Sequence, residues 1–408
     1  MGGVYGEGHN TVSFSCAESR AILTRMQDGE GRMHEHTDRP LTFMERLRAR
    51  YRRARELFLR YERRISSISL VTGFILDNIM FSRIQVETAA LALTGHIAIV
   101  ALGIVLINMQ ERQGWSGWLY QKTRPILPPI VQFSFGGLFS GFFIFYSRSG
   151  SLAASWPLLL LLIGLLIGNE FFRQRYVRMA FQTSIFYIAL FLYAVFVLPL
   201  LIRDMGTAVF LASGLASLGV ALAFLYILSH LAPLRYGASR TITLVSIAGI
   251  FIGMNVLYFT NIMPPIPLSL RDAGVYHDVV RIGSEYRVTY EEKPWHRRYL
   301  QTPVYNRAPG EAVYVWTAIF APAGLTANIV HEWQLYDEAS ERWMTTNTVA
   351  FPIHGGRDEG YRGYSLKSNA TAGKWRVNVK TARGAIIGRV SFRIVEAQSP
   401  VPVQEKVL

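Results

Sequence analysis

The pattern of apolar residues divides the chain into a polar beginning, a long apolar middle and a mixed C-terminal third. Apolar runs between residues 65 and 263 recur at a length that can cross a membrane as helices, since a spanning helix needs about 20 residues. We predict seven such helices, at 65–82, 88–109, 127–146, 151–169, 181–202, 208–229 and 241–263. The first is the weakest, because serines and Asp77 interrupt it, and the fourth is the strongest.

The texture changes after the last predicted helix. Pro264, Pro265 and Pro267 cannot continue a helix, because each lacks a backbone N–H and has a fixed φ. Strand-like segments follow, at 312–320, 327–336, 342–351, 373–381 and 386–394. Several short strands without a helical period between them favour an antiparallel β-sandwich over residues 264–397. The tail 398–408 is predicted to be disordered.

The last two strand segments alternate between apolar and polar residues. The residues predicted to face the core are Trp375, Val377, Val379, Val390, Phe392 and Ile394. Arg383 and Gly384 lie between the two segments and favour a hairpin turn.

The N-terminal 64 residues divide into two parts. Residues 1–40 are polar without a sustained period and are predicted to be a disordered cytoplasmic tail. Residues 41–64 predict an amphipathic helix with many arginines, which suits a surface of anionic membrane lipids. The simpler alternative is that these arginines only hold the N-terminus in the cytoplasm, and the two interpretations are compatible.

Composition and charge give the orientation. Half of the residues are hydrophobic and 17% are charged, against about 25% charged in an ordinary soluble protein. Lys and Arg number 21 in the N-terminal segment and the loops on its side of the predicted bundle, but three in the opposite loops. This bias places the N-terminus in the cytoplasm and, after seven crossings, the C-terminal domain outside. Topology therefore explains the net charge of +14, and no nucleic-acid partner is expected.

Ionisable residues near the apolar segments suggest an intramembrane polar site. Asp77 lies within the first segment, and a charged Asp at mid-helix costs about 2.5–3.5 kcal/mol, so it is a functional candidate. His96 in the second segment could face it and form a relay. The structural alternatives are that Asp77 pairs with Arg83 or caps a helix break, and that His96 is a hydrogen-bonded packing residue.

The segment 354–365, HGGRDEGYRGYS, is the most chemically loaded loop of the predicted sandwich. Arg357 and Arg362 could fork onto a carboxylate or phosphate, and Tyr361 and Tyr364 could stack on a sugar. An envelope glycan, an anionic ligand or a protein partner would fit. The alternative is a structural turn whose arginines pair with neighbouring acidic residues.

His331 and Trp333 are kept as candidate ligand contacts, although they share a strand face with Leu335 that is predicted to be core. Ser365, His331 and Asp337 could form a catalytic set, but no Gly-x-Ser-x-Gly elbow is present, so no enzyme is expected. No histidine pair has ligand-like spacing, and neither a metal nor a cofactor is expected. The single cysteine, Cys16, cannot form an internal disulfide.

Several short motifs occur in the same order as in a known protein family. They are Gly73-Phe74 with Asp77 and Arg83, His331-Glu332-Trp333, the glycine-rich 355–365 segment, Gly373-Lys374-Trp375-Arg376-Val377, and Gly388-Arg389 with Phe392. Over roughly residues 65–396 the chain resembles bacterial membrane proteins with the C-terminal domain of unknown function 2914. The resemblance implies an architecture and a bacterial inner membrane rather than an activity.

These observations predict a membrane-anchored binding or interaction protein. Its extracytoplasmic β-sandwich would recognise an envelope component or a partner protein. The alternative is a small-solute or ion transporter that uses Asp77 and His96. The ligand, the oligomeric state and the physiological process do not follow from the sequence.

Overall fold

A computed structural model describes residues 86–109, 126–171, 178–292, 302–357, 359–398 and 401–408, together with the single positions 44, 75 and 79. Apart from those three positions, the predicted N-terminal tail, amphipathic helix and first membrane segment lie outside the described residues.

The described part of the chain contains six helices followed by a β-rich region. The helices are α1 (Val86–Met109), α2 (Leu127–Arg148), α3 (Leu152–Phe171), α4 (Met179–Ile202), α5 (Thr207–Leu231) and α6 (Pro233–Phe259). All except α3 are long and apolar enough to cross a membrane by length and composition, and α3 has a shorter apolar part, Ala154–Gly168. These helices correspond to the second to seventh predicted spans.

Helix boundaries follow local chemistry. α2 and α6 both begin with proline in the first turn, where the missing N–H costs nothing. α6 begins at Pro233 rather than at the predicted 241. The prediction began too late because Arg235 and Arg240 lower the hydropathy of the first turns. α4 ends at Arg203, whose φ of 60° places it in the left-handed region and stops the helix.

The helices share one apolar core that is rich in aromatic rings. Phe210 of α5 and Tyr258 of α6 stack with their ring centroids 3.6 Å apart. Small residues allow close approach elsewhere. The position of Gly103 in α1 lies against Val131 of α2, where a Cβ would come within 2.2 Å of a methyl group.

The β-rich region has eleven described strands in three sheets. They are β1 (Ser269–Tyr276), β2 (Asp278–Ile282), β3 (Glu285–Tyr290), β4 (Val304–Arg307), β5 (Val313–Phe320), β6 (Thr326–Asp337), β7 (Arg342–His354), β8 (Tyr361–Lys367), β9 (Gly373–Thr381), β10 (Ile386–Glu396) and β11 (Gln404–Val407). The strand orders are β1-β5-β8, β4-β10-β9-β6-β7 and β11-β3-β2. The strand pairs of the described residues are antiparallel, except β4 with β10, which is parallel.

The sheet β1-β5-β8 contributes to three hydrophobic cores, one of which joins Ile319 of β5 to Ile329 and Ile353 of the five-stranded sheet. Val313 and Val315 of β5 pack with Trp333, Trp375 and other residues of the five-stranded sheet. Trp316 and Ala318, on the opposite face of β5, pack with residues of β2 and β3. Strand β5 is therefore buried on both faces, which explains why its sequence is apolar almost throughout.

The five predicted strands are present, and the residues of the last two that were predicted to face the core pack in it. Trp375, Val377 and Val379 are buried on β9, and the hairpin turn between β9 and β10 includes Arg383. The prediction of a disordered tail is wrong for Gln404–Val407, because these residues pair with β3. The predicted loop 354–365 is also shorter than expected, since its second half belongs to strand β8.

The β-rich region contacts one end of the helices. The backbone N–H of Ser151, at the start of α3, donates to the carbonyl oxygen of Ile386 at 3.3 Å. Met205, between α4 and α5, packs against a core that includes Leu268 and Ile329. The segments 149–151, 203–206 and 260–268 therefore lie beside the sheets, at the end of the bundle where α6 finishes.

Candidate functional site

Arg362, the central residue of the predicted binding loop, is engaged inside the protein. Its guanidinium forms an ion pair with Glu359 and donates to the carbonyl oxygen of Leu408 at 3.0 Å. A longer contact of 3.4 Å reaches the carbonyl of Ser284. Arg362 therefore fastens the C-terminal strand to the domain, which supports the structural alternative for this residue.

The glycines of the same segment are also explained by packing. A Cβ at Gly355 would lie 1.8 Å from the carbonyl oxygen of Pro322, and a Cβ at Gly363 would lie 2.8 Å from the ring of Phe351. Gly360 has a φ of 96°, which a side chain rarely adopts. Close backbone approach is needed here for the fold, so these glycines do not by themselves indicate a ligand.

The remaining candidates of this segment do not form one site. Arg357 is exposed in the short loop before β8. Tyr361 lies on the face of β8 near His354, with ring centroids 6.4 Å apart. Tyr364 points to the other face, is 38% exposed, and lies 6.0 Å from the ring of Tyr314. The alternation of a β-strand separates Tyr361 from Arg362 and Tyr364.

His331 and Trp333 lie completely in the core, as predicted from their strand face, and are not accessible to a ligand from solvent. The two sheets meet at a polar chain around His331. Its Nδ1 lies 2.9 Å from Ser365 Oγ, and its Nε2 lies 3.1 Å from Thr317 Oγ1. Trp333 Nε1–H donates to the same Ser365 oxygen at 3.0 Å.

A neutral imidazole at His331 satisfies all the hydrogen bonds of this polar chain. Ser365 can accept from Trp333 and donate to His331 Nδ1, while His331 Nε2–H donates to Thr317. Burial lowers the pKa of His331 to about 4, so the ring is uncharged at neutral pH. The carboxylate of Asp337 does not bond to His331 and instead accepts a 2.6 Å hydrogen bond from Ser340. The arrangement therefore joins the sheets and does not form a Ser–His–Asp triad.

A second histidine, His277, lies in a cluster that the sequence analysis did not find. Its Nδ1 is 2.5 Å from Glu311 Oε1, and its Nε2 is 3.2 Å from Glu291 Oε1. Its ring stacks on Tyr305 at 4.4 Å. Burial alone would lower the pKa of His277. The hydrogen bonds that its ring donates to Glu291 and Glu311, together with the negative charges of these carboxylates, outweigh burial and raise that pKa.

The carboxylates of the His277 cluster also hold backbone. Glu291 accepts the N–H of Asn306 at 2.7 Å, and Glu311 accepts the N–H of Ala308 at 2.8 Å. Both ring nitrogens of His277 are occupied by these carboxylates. No group of three metal-ligating side chains with suitable geometry occurs within the described residues. The cluster is therefore an ion-paired connection among the strands.

The predicted intramembrane site can be placed only in part. Asp77 and Arg83 lie outside the described residues, so a relay between Asp77 and His96 stays a prediction. His96 packs between α1 and α2, where a Cβ at Gly137 would lie 2.9 Å from its Nε2, and its ring centroid is 6.2 Å from that of Phe133. The glycine makes room for the imidazole.

A polar group at the opposite end of the helices was not predicted. Asn108 of α1 donates to Gln182 of α4 at 2.8 Å, and Arg235 of α6 donates to Asn108 at 3.0 Å. Asn108 and Gln182 are buried. These bonds tie three helices together at the end that lies away from the β-rich region.

The junction between the helices and the β-rich region contains two cavities. The first, of about 220 Å³, lies beside Tyr258 and is named the Tyr258 cavity. Its lining comes from both regions and includes Phe210 and Tyr258 of the helices, Pro264 and Pro265 of the linker, and Thr381 and Arg383 of the β9–β10 hairpin. Arg383 closes one side, with its guanidinium carbon 3.6 Å from the ring centroid of Tyr258.

The second cavity, of about 330 Å³, is named the Arg148 cavity. Its apolar wall includes Phe145 and Phe196, whose ring centroids are 4.8 Å apart. Arg148, at the end of α2, and Arg271, in β1, also line it. The cavity thus combines an apolar surface with two guanidinium groups. The helices and the β-rich region both contribute residues to each of these two parts.

This fold defines the class: an α-helical membrane protein with five membrane-length helices in its described part and a β-rich C-terminal region. Residues 326–394, which run from β6 to β10, match the family described as "Protein of unknown function (DUF2914)". The resemblance seen in the sequence motifs is therefore confirmed for this segment.

Other comparisons add no functional information. No curated protein matches the chain. One similar solved structure is the alkylpurine DNA glycosylase AlkC of Pseudomonas fluorescens bound to DNA containing an abasic site analog. It has 10% sequence identity and a TM-score of 0.18, covers 74% of this chain and is itself covered to 97%. A likeness at this TM-score carries no argument about fold or function.

Proposed function

We propose that the protein is a membrane-anchored binding protein that recognises an envelope component at the junction between its helices and its β-rich region. In this proposal seven helices cross the bacterial inner membrane, with the predicted first helix completing the six described ones. The N-terminus is cytoplasmic, the β-rich region is an extracytoplasmic sandwich, and residues 41–64 lie on anionic lipids. The proposal includes no enzymatic activity and no nucleic-acid partner.

The observation that carries this proposal is the position of the two cavities. Both lie where membrane helices meet the sheets, and both are lined by residues of both regions. A site at this level can contact a ligand that has an apolar part within the membrane and a polar part above it. The envelope component would therefore be amphipathic.

The contacts of Arg362 move the proposed site away from the segment 354–365. An arginine that already holds Glu359 and the carbonyl of Leu408 would have to break these bonds to bind an anion. Tyr364 remains on the surface and can contribute to a protein contact.

The edge strand β7 is also a poor candidate for strand addition by a partner. Its pairing with β6 skips Thr346, because Trp333 lies opposite Asn347 and Gln334 lies opposite Thr345. A bulge at an edge and a proline further along, Pro352, are both devices that discourage pairing with another chain.

The transport alternative depends on Asp77, outside the described residues, and the packing of His96 adds nothing in its favour.

The test uses the full chain purified from its own membranes in mild detergent, with mass spectrometry of the small molecules that remain bound. Two variants fill the cavities: Thr207→Trp in the Tyr258 cavity and Ser269→Trp in the Arg148 cavity. The exposed β7 residue Thr348 provides the matched control, Thr348→Trp. We expect an amphipathic component that the wild type and the control retain and that at least one filled variant loses.

Retention of the same component by both filled variants would contradict a junction site. Loss from the Thr348→Trp control as well would show that added tryptophan, rather than a filled cavity, removes the component. Melting temperatures of all three variants are measured in parallel, so that unfolding is not mistaken for loss of binding.

A further inference from the structure

We propose that the Arg148 cavity binds an anionic phospholipid, with the lipid phosphate at Arg148 and Arg271 and an acyl chain along Phe145 and Phe196. This inference rests on the proposed function and names the ligand class of one of its two cavities.

The backbone of β1 directs Arg271 to this cavity. In the pairing with β5, Leu270 lies opposite Ile319 and Asp272 lies opposite Ala318, so Arg271 is the additional residue of a β-bulge. A bulge interrupts the regular alternation and redirects a side chain. The guanidinium carbon of Arg271 lies 4.8 Å from the ring centroid of Phe320, another lining residue. Stacking on a ring leaves the edge of the guanidinium available for the oxygens of a phosphate.

The charge of the lining favours an anion. Arg148 and Arg271 are close enough for their charges to repel each other. Among the described residues that line the cavity, none is acidic. The neighbouring Asp272 is not one of them, and its carboxylate accepts the N–H of Ala273 at 2.8 Å. A bound phosphate would reduce the repulsion between the two guanidinium groups, since opposite charges attract most strongly where water is partly excluded.

The apolar half of the cavity distinguishes a lipid from a free anion. Phe196 lies six residues before the end of α4 at Ile202, which is about 9 Å along the helix axis at 1.5 Å per residue. Arg148 is the last residue of α2. The cavity therefore runs from the end of a membrane-length helix toward the bilayer interior, as a headgroup and the first part of an acyl chain do. Its volume of about 330 Å³ is within the usual range of ligand sites, about 300–1,000 Å³.

A zwitterionic lipid fits the lining less well. Phosphatidylcholine carries a fixed cation beside its phosphate, and this cation would meet a surface that already has two positive charges. Phosphatidylglycerol has the phosphate without the cation. The geometry therefore predicts selection by headgroup charge rather than by chain length.

The experiment measures lipid binding by native mass spectrometry on the full chain in detergent, with phosphatidylglycerol and phosphatidylcholine that carry the same acyl chains. We expect the wild type to retain phosphatidylglycerol at least tenfold more strongly. Arg271→Gln is expected to weaken phosphatidylglycerol about tenfold and leave phosphatidylcholine unchanged. Arg281→Gln, an exposed arginine on β2, has the same change of charge and should leave both affinities as they are.

Arg271→Lys keeps the charge without the planar fork, and an affinity between those of the wild type and Arg271→Gln is expected. If Arg271→Gln proves unstable, Arg271→Lys with an unchanged melting temperature still tests whether Arg271 binds phosphatidylglycerol. Equal binding of the two lipids by the wild type, or identical effects of Arg271→Gln and Arg281→Gln, would overturn the inference. Displacement of phosphatidylglycerol by a tenfold molar excess of inorganic phosphate would also overturn it, because the cavity would then be a site for the free ion.

The cavity-filling variant separates this inference from the proposed function. If Ser269→Trp removes both lipids but the wild type does not discriminate between them, the ligand class is wrong and the junction site stands. If Ser269→Trp leaves phosphatidylglycerol binding unchanged, the lipid is held elsewhere, and both the inference and the use of this cavity in the proposed function fail.

Discussion

Arg383, in the turn between β9 and β10, donates a hydrogen bond from Nη1 to the carbonyl oxygen of Tyr258 at 2.5 Å, while its guanidinium carbon lies 3.6 Å from the ring of the same tyrosine. Tyr258 stacks in turn on Phe210. One side chain of the β-rich region is thus bonded to the last turn of α6 in two ways. The five-stranded sheet is thereby connected to the aromatic core of the bundle.

Replacing Arg383 tests how strongly this connection holds the two regions together. A hydrogen bond from a charged donor contributes about 1.5–3 kcal/mol and a cation–π contact about 0.5–2 kcal/mol. Since these effects overlap, we expect Arg383→Gln to reduce the free energy of unfolding by about 2 kcal/mol. Thermal unfolding followed by tryptophan fluorescence measures the change, and hydrogen exchange should increase at the β9–β10 turn. Arg393→Gln, on the exposed face of β10, is the control, and equal melting of the two variants would contradict the role of Arg383.

Ser365 is expected to be a structural residue because one hydroxyl serves two buried partners. Ser365→Ala leaves both Trp333 Nε1 and His331 Nδ1 without their partner, and each unsatisfied buried group costs about 1–3 kcal/mol. The free energy of unfolding should therefore fall by at least about 2 kcal/mol. Ser391→Ala, an exposed serine on β10, should change it by less than about 0.5 kcal/mol. A melting temperature that is the same for both variants would show that the polar chain does not hold the sheets together.

The low pKa of His331 predicts that acid destabilises the β-rich region. An unfolded histidine has a pKa of about 6.5, whereas His331 has a folded pKa of about 4. The unfolded state therefore binds the proton more tightly, and stability that is present above pH 6.5 is lost as the pH falls toward 4. The loss is about 3 kcal/mol at most, at 1.36 kcal/mol for each pKa unit.

Melting temperatures of the wild type and His331→Gln between pH 7.5 and 4 measure this dependence. The variant should be less stable at pH 7.5 but lose less stability on acidification. His354→Gln, at an exposed histidine, should retain the wild-type slope. Parallel curves for the wild type and His331→Gln would be incompatible with a neutral, buried His331.

Sequence reasoning located six of the helices because apolar length is a local property that needs no knowledge of the fold. It also located β9 and β10, whose alternating residues face one core and one surface. It missed β11, because QEKV has no apolar alternation and becomes a strand only by pairing with β3, more than one hundred residues earlier in the chain. Strand β8 was mistaken for part of a loop because glycines in a sequence favour turns. Here Gly363 of β8 packs against Phe351 of β7, and Gly360, just before the strand, packs against the backbone of β5.

The candidate site was less accessible to sequence reasoning than the fold. The strand face of His331 predicted its burial, but the sequence did not show that Ser365 would be buried beside it and would bond to both His331 and Trp333. Arg148 and Arg271 attract no attention separately, because one ends a helix and the other lies in a strand. Only the folded chain brings them to one cavity. The bulge that directs Arg271 depends on its register with β5 and leaves no local signal.

His277 predicts the opposite pH dependence to His331. Glu291 and Glu311 raise its pKa above the usual value despite burial, so the folded state binds the proton more tightly than the unfolded one. The stabilisation is fully present below about pH 6.5 and is lost as the pH rises through the folded pKa. His277→Gln should remove this dependence and lower the free energy of unfolding at pH 6 by about 1–3 kcal/mol. Glu311→Gln, which removes one of the two carboxylate partners, should reduce the dependence in the same direction. If the stability of the His331→Gln variant, which keeps His277, rises between pH 6.5 and 8, this assignment is contradicted.

The membrane orientation can be tested at two positions that the fold assigns to opposite ends of the bundle. Residue 408 lies in the β-rich region, whereas Ala232 lies between α5 and α6, at the end that carries the Asn108–Gln182–Arg235 bonds. The lysine and arginine distribution predicts that the first is extracytoplasmic and the second cytoplasmic. Alkaline phosphatase fused after Leu408 should therefore be active, and the same enzyme fused after Ala232 should be inactive. The first fusion needs a flexible linker, because the carbonyl of Leu408 accepts bonds from Tyr286 and Arg362. The reverse pattern would place the Arg148 cavity at the cytoplasmic leaflet, and an envelope component on the outer side could then not reach it.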